Sequence, residues 1–594
     1  MRGARLSTEA PPRPERALGR LRPTPKAREG LFALLAGFVI SGLFNYPVVL
    51  HPKSLVTGDL GDPLLQAWQL AWQHHFVTSG GALWTGNTLY PAPDSYAFSD
   101  SLLGYLPLGL FGDGPYTAIM RYNAVFLISF ALAFAGAYVL IRQLGGNWQA
   151  AALAGTAFAW APWRLTHASH LNILSAGGIA LALFAIARGH GYSLRHGRRP
   201  ELSRPWWAFV GWVVAAWQVS LGFAVGMPFI YLLGVAGLLI LITAVRRWPR
   251  FGTRLAVADG AGIAVFLAVT YLMTIPYRRV VDEYGFTRAW KEVQLYSPPP
   301  QGLLAAPDST WLWQKGPFNL WSGAFADPAW VSLPGASEKL LFPGLALLLV
   351  ALAGLFFSVW SVRARVGLGI ATVVVTVFAL GSEFFGGDYT YYVLWRYLPG
   401  WDALRTPGRL MLWVLLLLAV LAAGALTRTA EWLRTRDTTY DQGRFLQVLL
   451  VVPVLFALLE GIPDQPHPSP PGIPPDVAKA FEHDPKPALI LPISQEVTPF
   501  SEFVYQFWST DGFPPLANGH NGLLPPQYGE ILAAATTFPD AHSVDVLRKY
   551  GIQQVLVLKV GATGTPYEAA LTRQLDGLPL TRSESADLVT FTLR

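Results

Sequence analysis

The sequence predicts a polytopic α-helical membrane protein of about eleven spans that ends in a small α/β domain. Three observations point there: long apolar runs, the placement of arginine between them, and a change of pattern after residue 462. Of 594 residues, 52% are hydrophobic and only 14% charged, where soluble domains carry about 25% charged residues. The formal net charge of +7 is gathered between apolar runs, which is a signal of topology, and no nucleic-acid-binding motif accompanies it. The chain has no cysteine, so disulfides, thiolate chemistry and cysteine-held metals are excluded.

Residues 1–30 form a basic, Pro-rich tail with Arg2, Arg5, Arg13, Arg16, Arg20, Arg22, Lys26 and Arg28. It is expected to be disordered and cytoplasmic. The apolar run 31–50 is long enough to span a bilayer and has no small-residue cleavage site after it, so it is expected to be a retained signal anchor. Further spans are expected near 118–141, 149–163, 172–187, 206–222, 225–245, 255–276, 340–360, 365–381, 409–427 and 445–462. Alternation puts Arg188, Arg195, Arg198, Arg199 and Arg204 inside, then Arg246, Arg247, Arg250 and Arg254, then Arg363 and Arg365, then Arg428, Arg434, Arg436 and Arg444. Every inside loop of any length is therefore arginine-rich, as the positive-inside rule requires. Segments 51–117, 277–339, 382–408 and the tail from 463 fall outside, in a cell inner or plasma membrane.

The expected domains are thus a tail 1–30, a transmembrane domain 31–462, a Pro-rich linker 463–475 and an extracytoplasmic α/β domain 476–594. Strand-like runs lie at 488–493, 554–559 and 588–593, with helical patterns near 526–536 and 542–550. No P-loop or Gly-rich dinucleotide fingerprint is present.

The first outside loop is the most informative. Thr57-Gly58-Asp59-Leu60-Gly61-Asp62-Pro63 precedes LLQAWQLAWQHHF. Asp62 before Pro63 predicts a helix start with Asp62 as N-cap. On that helix Leu64, Trp68, Ala71, Trp72 and His75 share a face and Gln66, Gln69 and Gln73 fall on the other, the pattern of a helix lying in the membrane interface. A second interfacial helix is expected over 102–111, capped by Ser99 or Asp100.

An acidic residue just after the first span, followed by surface-lying helices, resembles the GT-C superfamily of membrane glycosyltransferases. APWRLTHASHLN at 161–172, EKLLFPGLALLLVALAG at 338–354 and YLPGWDALRTPGRL at 397–410 resemble a bacterial branch with an extracytoplasmic C-terminal domain. The resemblance implies inverting transfer of a sugar from a polyprenyl-phosphate donor to an envelope glycan, lipid or protein on the outer face. No cofactor is implied beyond the lipid-linked sugar, which is a substrate; membrane lipid and the acceptor are the other partners. A carboxylate takes the acceptor's proton, and cations or donors stabilise the departing phosphate.

Asp59 is the expected base and Asp62 its competitor, against the plain alternatives of a turn aspartate and an N-cap. Asp100 is a substrate-side candidate whose alternative is a helix cap. Arg164, His167 and His170 in the second outside turn are phosphate candidates, with headgroup anchoring as the alternative. Two histidines three apart also suit zinc, but no third ligand or DxD pair accompanies them, so no metal is expected. Arg405 is preferred over Arg278, Arg279 and Arg409 as a further phosphate ligand, each with snorkelling as its alternative. Trp311, Trp313, Trp321 and Trp330 suit sugar stacking or an aromatic belt, and Tyr505, Trp508 and Asn518 to Gly522 suit a binding or structural loop. Competing functions are a lipid or polysaccharide flippase and a non-catalytic scaffold for envelope assembly. Span interiors nearly free of ionisable residues weigh against a transporter.

Overall fold

A computed structural model describes residues 27–245, 252–314, 335–435, 448–483, 485–494, 496–575 and 577–594. The basic residues up to Lys26, together with Arg246, Arg247, Arg250, Trp321, Trp330, Arg436 and Arg444, lie outside the described residues.

Among the described residues, six helices are long and apolar enough to cross a membrane: Ala27–Phe44, Pro115–Leu144, Leu171–Gly189, Thr253–Tyr284, Val362–Ala379 and Pro407–Arg434. That is fewer than the eleven spans expected. The remaining runs are helical but several are short. Trp148–Trp160 has 13 residues, Leu345–Phe356 has 12 and Val452–Glu460 has 9. At about 1.5 Å per residue, 13 residues rise about 20 Å against a hydrocarbon core of about 30 Å. Pro162 starts a new, separate turn after Trp160, which limits that helix. In lipid, close packing of small residues replaces the hydrophobic drive between helices. Gly37 meets the Ala131 backbone and Gly177 meets Leu132; a Cβ at Gly177 would sit 2.6 Å from the Leu132 carbonyl carbon.

The first-loop helix runs Asp62–Ser79, but it does not lie on a surface. Every residue from Pro63 to His74 is buried. The glutamines of the expected polar face are hydrogen-bonded inside the protein. Gln66 Oε1 accepts from the Leu171 amide (3.0 Å), Gln69 Nε2 donates to Ser99 Oγ (2.8 Å), and Gln73 Nε2 donates to Tyr96 Oη (2.9 Å). Asp62 is not the N-cap either: Gly61 holds that position with no side-chain cap, and its carbonyl accepts from Leu64 N at 2.9 Å. Over 102–111 the chain forms a seven-residue 3-10 helix, Leu103–Gly109, with Pro107 inside it and no side-chain cap. Leu108, Leu110 and Phe111 stay exposed there.

Asp100 caps a different helix. Its Oδ1 accepts from Phe223 N (2.7 Å) and Ala224 N (3.3 Å), at the start of Phe223–Val245. Its Oδ2 accepts from Asn172 Nδ2 at 2.7 Å. Asp100→Ala is expected to lower stability by about 1–2 kcal/mol, the range of a lost cap, measured as a fall in thermal midpoint in detergent.

At the C-terminus a four-stranded sheet is ordered Ala488–Leu491, Gln554–Leu558, Leu588–Leu593, Leu580–Glu584. The first pair is parallel and the others antiparallel. One face, with Leu489, Leu491, Val555, Val557, Val589 and Phe591, packs on Ile531, Ala535, Val544 and Leu547 of the helices Pro526–Ala535 and Ala541–Lys549. The other face, with Ile490, Leu556, Leu558 and Leu588, joins the main core beside Val504 and Tyr505. The sheet is tied to the first loop by Leu89 N to Asn518 O (3.2 Å) and Tyr90 N to Leu516 O (3.0 Å). The Pro-rich stretch is pinned too: its Pro468 and Pro466 carbonyls accept from Val56 N (3.1 Å) and Gly58 N (3.0 Å).

Candidate functional site

The helix Asp62–Ser79 begins where three other segments converge: the turn 164–174, the stretch 397–410 and the loop 518–522. Gln66 latches the turn by accepting from Leu171 N. This places His170 Nε2 3.6 Å from Asp62 Oδ2, both side chains half-buried. Because Gly61 caps the helix, the Asp62 carboxylate is not engaged in capping.

Asp59, three residues earlier, is exposed, and both its oxygens are occupied. Oδ1 accepts from Gly61 N at 2.7 Å and Oδ2 from Ser169 Oγ at 2.9 Å. This is the geometry of a turn aspartate. Arg164 is fully buried and donates to the carbonyls of Ile173 (2.9 Å) and Leu174 (2.7 Å), so it closes the turn from within. His167 is also fully buried. Burial, helped by the charges of Arg409 and Arg164 and opposed by Glu338, pushes its imidazole down to about 3. Its ring packs against Trp163, centroids 4.9 Å apart, and its Nδ1 stands 3.5 Å from His170 Nδ1.

Behind the histidines lies an ion pair. Arg409 Nη2 and Nε reach Glu338 Oε1 at 2.6 and 3.0 Å. Burial pushes the Glu338 carboxyl up, but the charge and hydrogen bonds of Arg409 overcome it and hold the group at about 2. Arg409 lies in the field of Asp62 and Asp100 as well. Arg409 also lines a small, mostly apolar groove with Val225, Pro228, Tyr391, Trp401, Thr406 and Trp413.

Arg405 is half-exposed, 3.4 Å from Glu292 Oε2, and its guanidinium stacks 4.9 Å from the Tyr296 ring centroid. Arg288 shares the same Glu292 oxygen at 3.3 Å. Two guanidinium groups on one carboxylate leave one positive charge over. Arg288 also donates to the Gly522 carbonyl, which ties this group to the loop 518–522. From that loop His520 enters the site. Its ring stacks on Phe503 at 4.1 Å, and its amide donates to Gln506 Oε1 at 3.1 Å. Burial pushes its imidazole down, Asp62 pulls it up and Arg405 pushes it down, so it sits in the field of both.

The other sequence candidates are elsewhere. Arg279 pairs with Asp94 at 2.7 Å, and Arg278 lies 6.0 Å from the Tyr271 ring. Trp313 is 1% exposed and packs edge-on against Phe342. Tyr505 and Trp508 are buried and donate to the carbonyls of Pro492 and Pro471, so they hold structure. Glu338, Glu292 and Ser169 were not singled out from sequence. Glu338 offered one signal, an acidic residue opening the apolar run EKLLFPGLALLLVALAG. Among the described residues no group of three or more His, Cys, Asp or Glu is disposed to hold a metal ion.

No family model matches the chain, and no curated protein matches it. Solved structures similar to it include the following three. A variant of the arabinofuranosyltransferase AftD from Mycobacteria is 14% identical, with TM-score 0.49, over 96% of this chain and 42% of that one. This chain thus spans less than half of that protein. The oligosaccharyltransferase AglB from Archaeoglobus fulgidus, in complex with an inhibitory peptide and a dolichol-phosphate, is 14% identical, TM-score 0.41, over 89% of this chain and 69% of that one. ArnT from Cupriavidus metallidurans, bound to undecaprenyl phosphate, is 15% identical, TM-score 0.39, over 95% of this chain and 98% of that one. All three are at most 15% identical to this chain, with TM-scores below 0.5.

Proposed function

We propose that this protein is a membrane glycosyltransferase that moves a sugar, with inversion, from a polyprenyl-phosphate donor to a hydroxyl acceptor on the outer face of a cell membrane. The observation that carries this reading is Asp62: a half-buried carboxylate free of capping, 3.6 Å from His170, beside cationic groups and an apolar groove.

In this reading Asp62 accepts the acceptor's hydroxyl proton as that oxygen attacks the anomeric carbon. The bond from the anomeric carbon to the phosphate oxygen breaks, and the lipid phosphate leaves with the electron pair. In the same reading Arg405, carrying the surplus charge of the Arg288–Glu292–Arg405 group, and His170 stabilise that phosphate. Asp59 keeps the turn that presents Asp62, and Arg164 and His167 brace the turn that presents His170.

The test is transfer in proteoliposomes holding the full-length protein and polyprenyl-phosphate sugars. The reading expects polyprenyl phosphate to be released with a product of inverted anomeric configuration. Release without sugar transfer, or retention of configuration, would refute it. Arg405→Gln is expected to lower the rate by about 10-fold to 100-fold, in line with loss of a charge-assisted contact to a leaving phosphate. An unchanged rate would remove Arg405 from the site.

A further inference from the structure

A second cavity lies at the opposite end of the helices that build the site. Gly177–Gly189 runs away from the 164–174 turn, and Pro205–Leu221 returns toward Leu102. Between them a short hairpin pairs Tyr192–Ser193 with Gly197–Arg198. Beneath it is a cavity of about 550 Å³, its mouth included, lined among others by Gln143, Arg188, Tyr192, His196, Arg199 and Arg204.

The polar lining is incomplete on both sides of the hydrogen-bond ledger. Gln143 is 5% exposed; its Nε2 donates to the Tyr192 carbonyl at 2.9 Å, but its buried Oε1 has no donor. Arg188 Nε and Nη1 are buried and have no acceptor. The Arg188 guanidinium is held in place over the rings of Trp207 (5.2 Å) and Phe184 (5.9 Å). Among the described residues, no carboxylate pairs with Arg188, Arg199 or Arg204. Arg195, by contrast, pairs with Glu431 at 2.5 Å. Leaving a buried donor unmet is costly, and a fixed guanidinium offers a planar fork that fits two phosphate oxygens. An unmet acceptor a short way off calls for a hydroxyl.

We propose that this cavity binds a phosphate ester that also carries a free hydroxyl, with Arg188, Arg199 and Arg204 on the phosphate and Gln143 Oε1 on the hydroxyl. The arginine-rich end of a bundle is the one that faces the cytoplasm under the positive-inside rule. There, basic pockets between helices take the headgroups of anionic lipids. The two sources of this chemistry are a phospholipid such as phosphatidylglycerol and a soluble ester such as glycerol 3-phosphate. The site is independent of the transfer reaction.

The thermal midpoint of the full-length protein in neutral detergent separates these. Titration with phosphatidylglycerol is expected to raise the midpoint, and phosphatidylcholine is not. Arg199→Gln/Arg204→Gln is expected to need roughly tenfold more phosphatidylglycerol for the same gain, with an unchanged midpoint before lipid is added. Arg188→Lys, which keeps the charge and loses the fork, is expected to weaken the response as well. A gain from glycerol 3-phosphate equal to that from the lipid assigns the site to the soluble ester. Equal gains from phosphatidylglycerol and phosphatidylcholine, or the wild-type response in the double variant, would overturn the proposal.

Discussion

Alanine at position 338 is expected to cost about 3–5 kcal/mol of stability, the penalty of leaving a buried charge without its partner. Arg409 would lose its contacts at 2.6 and 3.0 Å in a place where water does not reach Glu338. The pair also makes stability depend on pH, with a definite sign. Glu338 is held at about 2, below its ordinary 4.5, so its contribution is complete above 4.5 and is lost as pH falls toward 2. His167 acts in the same direction. Its folded-state value of about 3 lies below the ordinary 6.5, so acid draws the chain toward the unfolded form as soon as pH drops through 6.5. Thermal midpoints measured from pH 7 downward should therefore decline in two stages. Glu338→Gln should abolish the lower stage and keep the upper. A midpoint that is flat from pH 7 to 4 would contradict the His167 assignment, and one that stays flat from pH 4.5 to 2 would contradict that of Glu338.

The second large effect concerns the carboxylate at the start of the first-loop helix. Asp62→Asn is expected to cut transfer by about 10²–10⁴-fold, the span that a positioned general base contributes. Folding should be unaffected, since Gly61 and not Asp62 caps that helix. Asn is nearly isosteric and keeps a partner for His170, so a loss of rate at unchanged midpoint separates chemistry from structure.

Much of the membrane part could be read from local pattern, because apolar run length and arginine placement are properties of short windows. The helix Asp62–Ser79 was legible as a helix for the same reason. Its environment was not. Gln66, Gln69 and Gln73 have the spacing of a wet face, yet their partners are Leu171, Ser99 and Tyr96, 105, 30 and 23 residues away. Hydrogen bonds of that range leave no periodicity in sequence. Glu338 and Arg409 are likewise 71 residues apart, and His520 follows the stretch 514–518, which is hydrogen-bonded to residues 87–90. The sequence candidates did gather in part: Asp59, Asp62, His167, His170 and Arg405 lie around one junction. Arg164 and Asp100 are engaged with backbone there, as a turn brace and a helix cap. The expected span 149–163 shows why helix length was not legible: hydropathy does not register that the helix ends at Trp160 and Pro162 starts a separate turn.

The most direct test sets two aspartates against each other. Single-turnover transfer from a polyprenyl-phosphate sugar would be timed for Asp62→Asn and Asp59→Asn in matched proteoliposomes. The expected result is a collapse of the Asp62→Asn rate while Asp59→Asn keeps at least about a tenth of the original, having lost only turn hydrogen bonds. Full activity in Asp62→Asn with collapse in Asp59→Asn would contradict the account and return the base to the exposed turn.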